Sequence, residues 1–253
     1  MVIWYRTWQP PCGIGLRAAV QITHGIAEYS ARYDRLARFL AARGCVVYAL
    51  DLRGHGQTAG PAGLGQLGVT AWDDMTADIK QLADIARAQN PGLPLIAFGH
   101  SMGSALTHEF FGALLAQFNA PFVPDGVTPT GSEWQTCDAE EIRTFQSDPL
   151  CGKPFSNAMT YSVIKGFHSL WEPGNESRIP SELPILIVAG SEDPVGGRTE
   201  TIQGLITRYM AEGHRRLEYR FYAGGRHEIL NEPEKDWVHR DIGHWLEGVV
   251  GSS

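Results

Sequence analysis

The sequence predicts an α/β fold in which a mostly parallel central sheet is flanked by helices. Short apolar runs that end in glycine or polar turns alternate with segments of helical periodicity, which is typical of such sheets. The runs that predict strands are residues 2–8, 18–23, 45–50, 93–98, 183–189 and 217–222. The segments that predict helices are residues 31–43, 70–89, 198–212 and 237–249.

Each element has its own signal in the chain. Residues 2–8 alternate in polarity and predict an edge strand, whereas the inner runs are nearly continuous in apolar residues, as in strands buried on both faces. The first helix ends before Gly44 and the second before Asn90-Pro91-Gly92, because glycine and proline stop helices. Functional residues of parallel sheets follow the carboxyl ends of the strands, so we expect a site there.

The composition favours a globular protein, and the net charge argues against nucleic-acid binding. The chain has 253 residues, 43% of them hydrophobic and 19% charged, which suits one globular domain with at most a modest insertion. Its formal net charge is −7 at pH 7. A nucleic-acid-binding protein is not expected, because phosphate binding requires clustered lysine and arginine.

The cysteines and the N-terminal residues predict the cellular setting. The four cysteines form no C-x-x-C pair and have no histidines at zinc-ligand spacing, so we expect no metal site. Reduced thiols are expected, with a Cys137–Cys151 disulfide as the alternative. The chain starts without an apolar export signal and contains no run long enough to span a membrane. We therefore expect a cytoplasmic protein with no stable membrane insertion.

The middle of the chain, residues 113–171, differs from the rest. Prolines and glycines interrupt it, aromatic residues are frequent in it, and no run in it predicts a buried strand. We interpret it as a cap or lid insertion into a core formed by residues 1–112 and 172–253. Its aromatic side chains line an apolar pocket or pack into the core, and the sequence favours neither alternative.

A G-x-S-x-G motif follows the fourth strand candidate at residues 99–103, before an amphipathic stretch. In a sharp strand-to-helix turn, Gly99 and Gly103 make room where side chains would collide, and the strained serine is exposed. The turn also places Ser101 at a helix N-terminus, whose dipole favours a developing oxyanion. We predict that Ser101 is a nucleophile; the alternative is a turn serine that caps the helix.

A base and an acid are predicted at the ends of the last two strand candidates. A serine hydroxyl needs a base, and the expected order along this fold is serine, acid, histidine. His227 follows strand candidate 217–222 and is the predicted base, while Asp193 follows 183–189 and would fix the histidine tautomer. For the acid, Glu192 and a turn aspartate that caps the next helix are the alternatives. Packing or surface positions explain the rival histidines better: His100, His108, His168, His239 and His244.

A second oxyanion donor is predicted after the strand candidate 18–23. Gly25 permits close approach of the backbone, so the N–H of Ile26 can face the oxyanion together with the N–H of Met102. Each such donor typically contributes about 3 kcal/mol of transition-state stabilisation. An ordinary turn at the end of the strand is the alternative.

These motifs together resemble the monoacylglycerol lipase and lysophospholipase-like branch of the α/β-hydrolases. The segments that carry the resemblance span nearly the whole chain: 24–33, 51–56, 99–103, 147–150, 193–195 and 225–228. The resemblance implies an α/β-hydrolase fold with Ser101, Asp193 and His227 as the triad and the amides of Ile26 and Met102 as the oxyanion hole. It implies hydrolysis of carboxylic esters, such as monoacylglycerols or similar lipid esters, without a cofactor.

Several functional alternatives remain open on the same residues. A lysophospholipase or a short-chain carboxylesterase would use the same triad on another substrate, as would an enzyme acting on peptides. A binding protein with a vestigial triad is the alternative outside catalysis, and an interfacial lipase would use its aromatic cap on lipid. The partner in each case is a small-molecule lipid or ester substrate, and the chain is expected to be a monomer or a homodimer.

One departure from the family concerns the segment after the nucleophile. Family members carry another parallel strand and a longer cap there, whereas here no run between residues 112 and 178 predicts that strand. A gap inside a parallel sheet would leave backbone N–H and C=O groups without partners. The strands close up, a neighbouring chain supplies a strand, or the natural chain has residues that this sequence lacks.

Overall fold

Four strands form a sheet in the order β1-β3-β2-β4. In this computed structural model, which describes residues 2–103, 120–153, 156–170, 172 and 176–251, they are β1 (Tyr5–Trp8), β2 (Ala18–Thr23), β3 (Cys45–Leu50) and β4 (Leu95–Gly99). Strand β2 pairs in parallel with β3 and β4, and β1 runs antiparallel to β3 at the edge. Strands β2 and β3 are buried along their whole length, as their continuous apolar sequences predict.

The chain divides into two compact units, and this sheet belongs to the first, which comprises Met1–Glu109, Phe145–Ser169 and Val250–Ser253. Its helices are α1 (Asp34–Ala41), α2 (Gly56–Gly63) and α3 (Ala71–Gln89), together with a later helix given below. Helix α1 packs on β3, and α3 packs on β2 and β3. Apolar side chains at helical spacing on α3, such as Met75 and Leu82, join Val46 and Leu50 in the core.

The second unit comprises Phe110–Thr144 and Leu170–Val249 and contains a two-stranded parallel sheet. Strand β5 (Ile185–Gly190) pairs with β6 (Leu217–Tyr222) from Ile185 opposite Leu217 to Gly190 opposite Tyr222. The chain between them forms α6 (Glu200–Ala211), and α7 (Lys235–Gly251) follows β6. The acid and base candidates therefore follow two neighbouring strands at the same edge of this sheet.

The segment predicted as a cap contains helices α4 (Ala139–Ser147) and α5 (Asn157–Leu170). Met159 and Val163 of α5 are fully buried in the core of the first unit. Between β4 and β5, none of the described residues, 100–103, 120–153, 156–170, 172 and 176–184, forms a strand. The amphipathic stretch predicted after the G-x-S-x-G motif lies outside the described residues.

Helices and a mostly parallel sheet confirm the predicted α/β class. Within the described residues the four cysteines are thiols, and Cys137 and Cys151 form no disulfide. Across the described residues, none of the helices combines the length and the hydropathy that a membrane span requires. In the same residues, no three His, Cys, Asp or Glu side chains are grouped as metal ligands.

Candidate active site

Ser101 lies in the sharp turn that follows β4. Its φ is +49, in the left-handed region that non-glycine residues rarely adopt, and the residues Ser101–Gly103 form a short 3₁₀ turn. The turn is closed by the N–H of Gly103, which donates to the carbonyl of His100 at 2.7 Å. A side chain at Gly103 would collide with the carbonyl oxygen of Thr23 at the end of β2. The glycine thus allows the turn to approach the neighbouring strand closely enough to present Ser101.

The loop after β2 lies directly against this turn. A Cβ atom placed on Gly25 would be 3.2 Å from the Cβ of Ser101 and 3.1 Å from Nδ1 of His100. Ala27 in the same loop has φ +56° and is, like Ser101, a non-glycine residue in the left-handed region. Ile26 and Met102, the candidate oxyanion donors, therefore belong to two backbone segments that are packed together at Gly25.

A buried carboxylate links these two segments. The Oε1 atom of Glu28 accepts the N–H of Gly25 at 2.6 Å and the hydroxyl of Tyr33 at 2.7 Å, and lies 3.2 Å from Nδ1 of His100. The Oε2 atom accepts Nη1 of Arg32 at 3.0 Å. Burial alone would raise the pKa of Glu28, but the hydrogen bond from His100 and the charge of Arg32 outweigh it and hold the pKa far below its usual range.

His24 is a structural histidine beneath the same loop. It is completely buried, its Nε2 accepts the N–H of Leu52 at 2.9 Å, and its Nδ1 lies 2.7 Å from the carbonyl of Gly25. These partners require a neutral ring that carries its proton on Nδ1. Burial lowers the pKa of His24, and the attraction of Glu28 offsets only part of this effect. The ring thus holds the loop after β2 to the loop after β3.

The candidate acid and base are in contact in the second unit. Nδ1 of His227 lies 3.0 Å from both carboxylate oxygens of Asp193, and both side chains are nine-tenths buried. The loops that carry them are joined, since the N–H of Glu192 donates to the carbonyl of Gly225 at 2.9 Å. Burial raises the pKa of Asp193, but His227 and the N–H groups of Val195 and Gly196 outweigh it, so the pKa lies below its usual value.

A segment preceding α4 packs over His227. The indole of Trp134 lies 5.1 Å from the imidazole, centroid to centroid, with the planes tilted by 36°. The N–H of Glu228 donates to the carbonyl of Gln135 at 2.7 Å, which binds this segment to the histidine loop. Trp134 is itself buried, so the ring contact is shielded from solvent. The base candidate thus has a carboxylate on one side and an indole on another.

Glu232 also binds the segment that carries Trp134 to the histidine loop. Its Oε2 accepts the hydroxyl of Thr136 at 2.8 Å and the N–H of Cys137 at 2.9 Å, while its Oε1 accepts the N–H of Arg226 at 2.7 Å. Burial and Glu232 raise the pKa of the Cys137 thiol to about 11, so the thiol stays protonated at neutral pH. The residue before the candidate base is therefore tied to the segment that carries Trp134.

Comparison with known proteins places this geometry in a family. The family described as serine aminopeptidase, S33, matches residues 15–113 and 107–234, and so most of the chain. The chain belongs to this S33 family.

Relatives and solved structures extend the S33 assignment. A monoacylglycerol lipase of Mycolicibacterium smegmatis is 27% identical over 274 residues, which cover 96% of this chain and 92% of the relative. A thermostable carboxyl esterase from Bacillus coagulans has a TM-score of 0.82 at 23% identity, with coverage of 98% of this chain and 94% of that chain. A lipase in an open form has the same TM-score and coverage at 26% identity. The likenesses confirm an α/β-hydrolase similar to monoacylglycerol lipases, and so an ester hydrolase.

Within this S33 chain, the structure brings together some of the predicted residues. Asp193 and His227 are in contact, whereas the rival acid Glu192 has a half-exposed side chain that lies 3.5 Å from Arg198. Gly25 lies against Ser101. The rival histidine His108 lies outside the described residues. The roles of the predicted triad, of the Ile26 and Met102 amides, and of Gly99 and Gly103 in the elbow stay predictions.

Sequence reasoning did not single out three residues that support the S33 site. Glu28, Trp134 and Glu232 act through partners that are distant in the chain. For Glu28 a signal existed, because it is a charged residue three residues after Gly25 in the loop that directly follows an apolar strand candidate. For Trp134 no local signal distinguished it from the other aromatic residues of the predicted cap.

Proposed function

We propose that this α/β-hydrolase is a serine carboxylic-ester hydrolase that acts through Ser101, His227 and Asp193 and an acyl-enzyme intermediate. The observation that supports it most is the hydrogen-bonded pair of Asp193 and His227 at the ends of β5 and β6, in an S33 chain with a G-x-S-x-G turn after β4. A carboxylate on Nδ1 leaves Nε2 of the imidazole to accept a proton.

The proposed reaction runs in two halves. His227 accepts the hydroxyl proton of Ser101 as Oγ attacks the ester carbonyl, and the tetrahedral oxyanion collapses as His227 protonates the leaving alcohol. Water then attacks the acyl-enzyme with His227 again as the base, which releases the acid and restores the serine. Asp193 stabilises the imidazolium in both halves, consistent with its lowered pKa.

The proposed oxyanion hole consists of the amides of Ile26 and Met102. Their segments are packed together at Gly25, and Met102 follows the left-handed Ser101. Two preorganised N–H donors stabilise the charge that develops on the carbonyl oxygen more than they stabilise the neutral ester, and so they raise kcat.

Monoacylglycerols or similar lipid esters are the proposed substrate class. The support is the likeness, over nearly the whole chain, to the monoacylglycerol lipase of M. smegmatis. Residues 113–171 are proposed to form the cap that receives the acyl chain.

A panel of monoacylglycerols, lysophospholipids and p-nitrophenyl esters of rising chain length tests the proposed substrate class. The highest kcat/KM should be for a monoacylglycerol, and a preference for lysophospholipid or for acetyl ester would replace the substrate class without touching the triad.

The triad is tested by replacing its nucleophile. Ser101→Ala should lower kcat on p-nitrophenyl esters by about a thousandfold or more, because the attacking oxygen is gone while ester binding remains. Ser181→Ala, an exposed serine before β5, is the matched control and should keep wild-type activity. A fluorophosphonate probe should label Ser101 alone. Wild-type turnover by Ser101→Ala would refute the mechanism, and an unlabelled wild-type protein would favour the vestigial triad.

A further inference from the structure

Glu28 is a loop carboxylate that is buried among hydrogen-bond donors. It is 3% exposed, yet four donors from three different parts of the fold surround its two oxygens. A buried carboxylate without partners is strongly unfavourable, so these donors must stay in place as long as Glu28 is charged. Its strongly lowered pKa means that it is charged throughout the neutral range.

The partners of Glu28 lie immediately beside the two proposed oxyanion donors. Gly25, whose N–H is 2.6 Å from Oε1, precedes Ile26 in the loop after β2. His100, whose Nδ1 is 3.2 Å from the same oxygen, lies two residues before Met102 in the turn after β4. A single oxygen atom therefore joins the loop after β2 to the turn after β4, where His100 lies 72 residues after Glu28 in the chain.

Both segments need such a restraint. Ala27 and Ser101 have left-handed φ values of +56 and +49, and a non-glycine residue in that region costs about 1–3 kcal/mol unless its surroundings impose it. Two neutral amides are effective oxyanion donors only when their direction is set before the reaction, and a displacement of about 1 Å can cost about a hundredfold in rate.

We infer that Glu28 is a positioning residue, which sets the distance between the two halves of the oxyanion hole by binding Gly25 and His100 with one carboxylate oxygen. This inference rests on the proposed function, because it concerns the oxyanion formed on the Ser101 adduct. Glu28 does not touch the substrate in this scheme. Arg32 and Tyr33 act one step further away, since they hold the carboxylate itself.

The variant Glu28→Gln removes the charge and keeps the size of the side chain. Its kcat on a p-nitrophenyl ester should fall about ten- to a hundredfold while KM stays within about twofold, since the loss concerns the transition state and not ester binding. Affinity for a trifluoromethyl ketone, which forms a tetrahedral oxyanion on Ser101, should fall by the same factor as kcat/KM. A purely structural role would not couple these two quantities.

Asp78→Asn is the matched control. Asp78 is another buried carboxylate of the first unit, and its partner at 2.6 Å is Arg53 in the loop after β3. This variant should lose thermal stability yet keep kcat and ketone affinity within about twofold. A loss of kcat in Asp78→Asn equal to that in Glu28→Gln would overturn the inference, as would wild-type kcat and ketone affinity in Glu28→Gln.

A second variant keeps the inference testable if Glu28→Gln does not fold. His100→Phe removes the hydrogen bond between Glu28 and the turn after β4 and preserves an aromatic ring, whose centroid lies 6.1 Å from that of Tyr33 in the wild type. It should fold and show about a tenfold fall in kcat with a parallel fall in ketone affinity. Unchanged values in folded His100→Phe would refute the role of Glu28.

Loss of activity in Ser101→Ala together with full activity in Glu28→Gln would refute only this inference. Wild-type turnover by Ser101→Ala would refute the proposed function and the inference with it.

Discussion

The imidazole of His227 is restrained by two different kinds of contact. Asp193 binds Nδ1 from one direction, at 3.0 Å to each oxygen, and the indole of Trp134 covers the ring at a centroid distance of 5.1 Å. The carboxylate sets the tautomer, and the indole limits rotation of the ring. A base that must accept and return a proton at the same position benefits from both restraints.

Trp134 should therefore influence catalysis through His227. We expect Trp134→Ala to lower kcat about fivefold, because an aromatic pair of this kind contributes about 1 kcal/mol to holding the ring. Trp134→Phe preserves a ring and should recover most of the loss. Steady-state kinetics on a p-nitrophenyl ester measures both the loss and its recovery.

A tryptophan of α7 provides the control for this prediction. Trp237 is 62% exposed, so Trp237→Ala removes the same side chain without a buried partner. It should leave kcat unchanged. Equal losses of kcat in Trp237→Ala and Trp134→Ala, or no recovery of kcat in Trp134→Phe, would contradict the assigned restraint.

Some residues of the site could be predicted from the sequence and others could not, and the reason is physical. Ser101 could be singled out because the glycines around it are demanded by a local turn, and His227 and Asp193 because each follows an apolar run at a strand end. Glu28 and Trp134 carry no such local requirement. Their partners are fixed only when distant segments meet, as with Glu28 and His100, so their importance emerged from the structure.

At the scale of elements, boundaries followed the sequence wherever a turn residue limits an apolar run. The strands predicted at 18–23, 45–50 and 217–222 agree with β2, β3 and β6. The helix predicted at 198–212 instead begins at Glu200, because Gly197, Arg198 and Thr199 all have left-handed φ values of +59, +49 and +77. Nothing in the types of Arg198 and Thr199 predicts that conformation, which β-branched residues rarely adopt.

The strained turn before α6 yields a prediction about stability. Thr199→Gly should raise the melting temperature by about 2–4 °C, since a left-handed β-branched residue costs about 1 kcal/mol that glycine avoids. The hydrogen bond that Thr199 accepts from Gln203 is exposed and its loss should matter little. Thermal unfolding followed by circular dichroism measures the shift.

Replacement of a threonine by glycine inside the helix should change the melting temperature in the opposite direction. Thr207 lies within α6, so Thr207→Gly should lower the melting temperature through the poor helix propensity of glycine. If both variants shifted the melting temperature in the same direction, backbone strain at Thr199 would not be the cause. Because the turn follows Asp193, whose carbonyl accepts the N–H of Arg198 at 2.8 Å, activity should be measured on the same samples.

For the whole molecule, buried ionisable groups make the free energy of unfolding depend on pH. His24 has a folded-state pKa below its usual value of 6.5, so the unfolded chain binds more protons than the folded chain once the pH falls below that value. Glu28 has a folded-state pKa far below its usual 4.5, which adds a second loss of stability at lower pH. Both groups contribute full stability above these values and lose it as the pH falls.

The acid sensitivity near pH 6 should therefore depend on His24. The urea midpoint of the wild-type protein should be lower at about pH 5.5 than at about pH 7.5, because the unfolded chain takes up a proton at His24, whereas the buried folded ring stays neutral and accepts the Leu52 N–H. His24→Asn should be less stable at every pH, since Leu52 loses its acceptor, but its midpoint should change less over this interval. His168→Asn, which alters an exposed histidine of α5, should keep the wild-type dependence. A His24→Asn protein with the full wild-type slope would show that other groups cause the acid sensitivity.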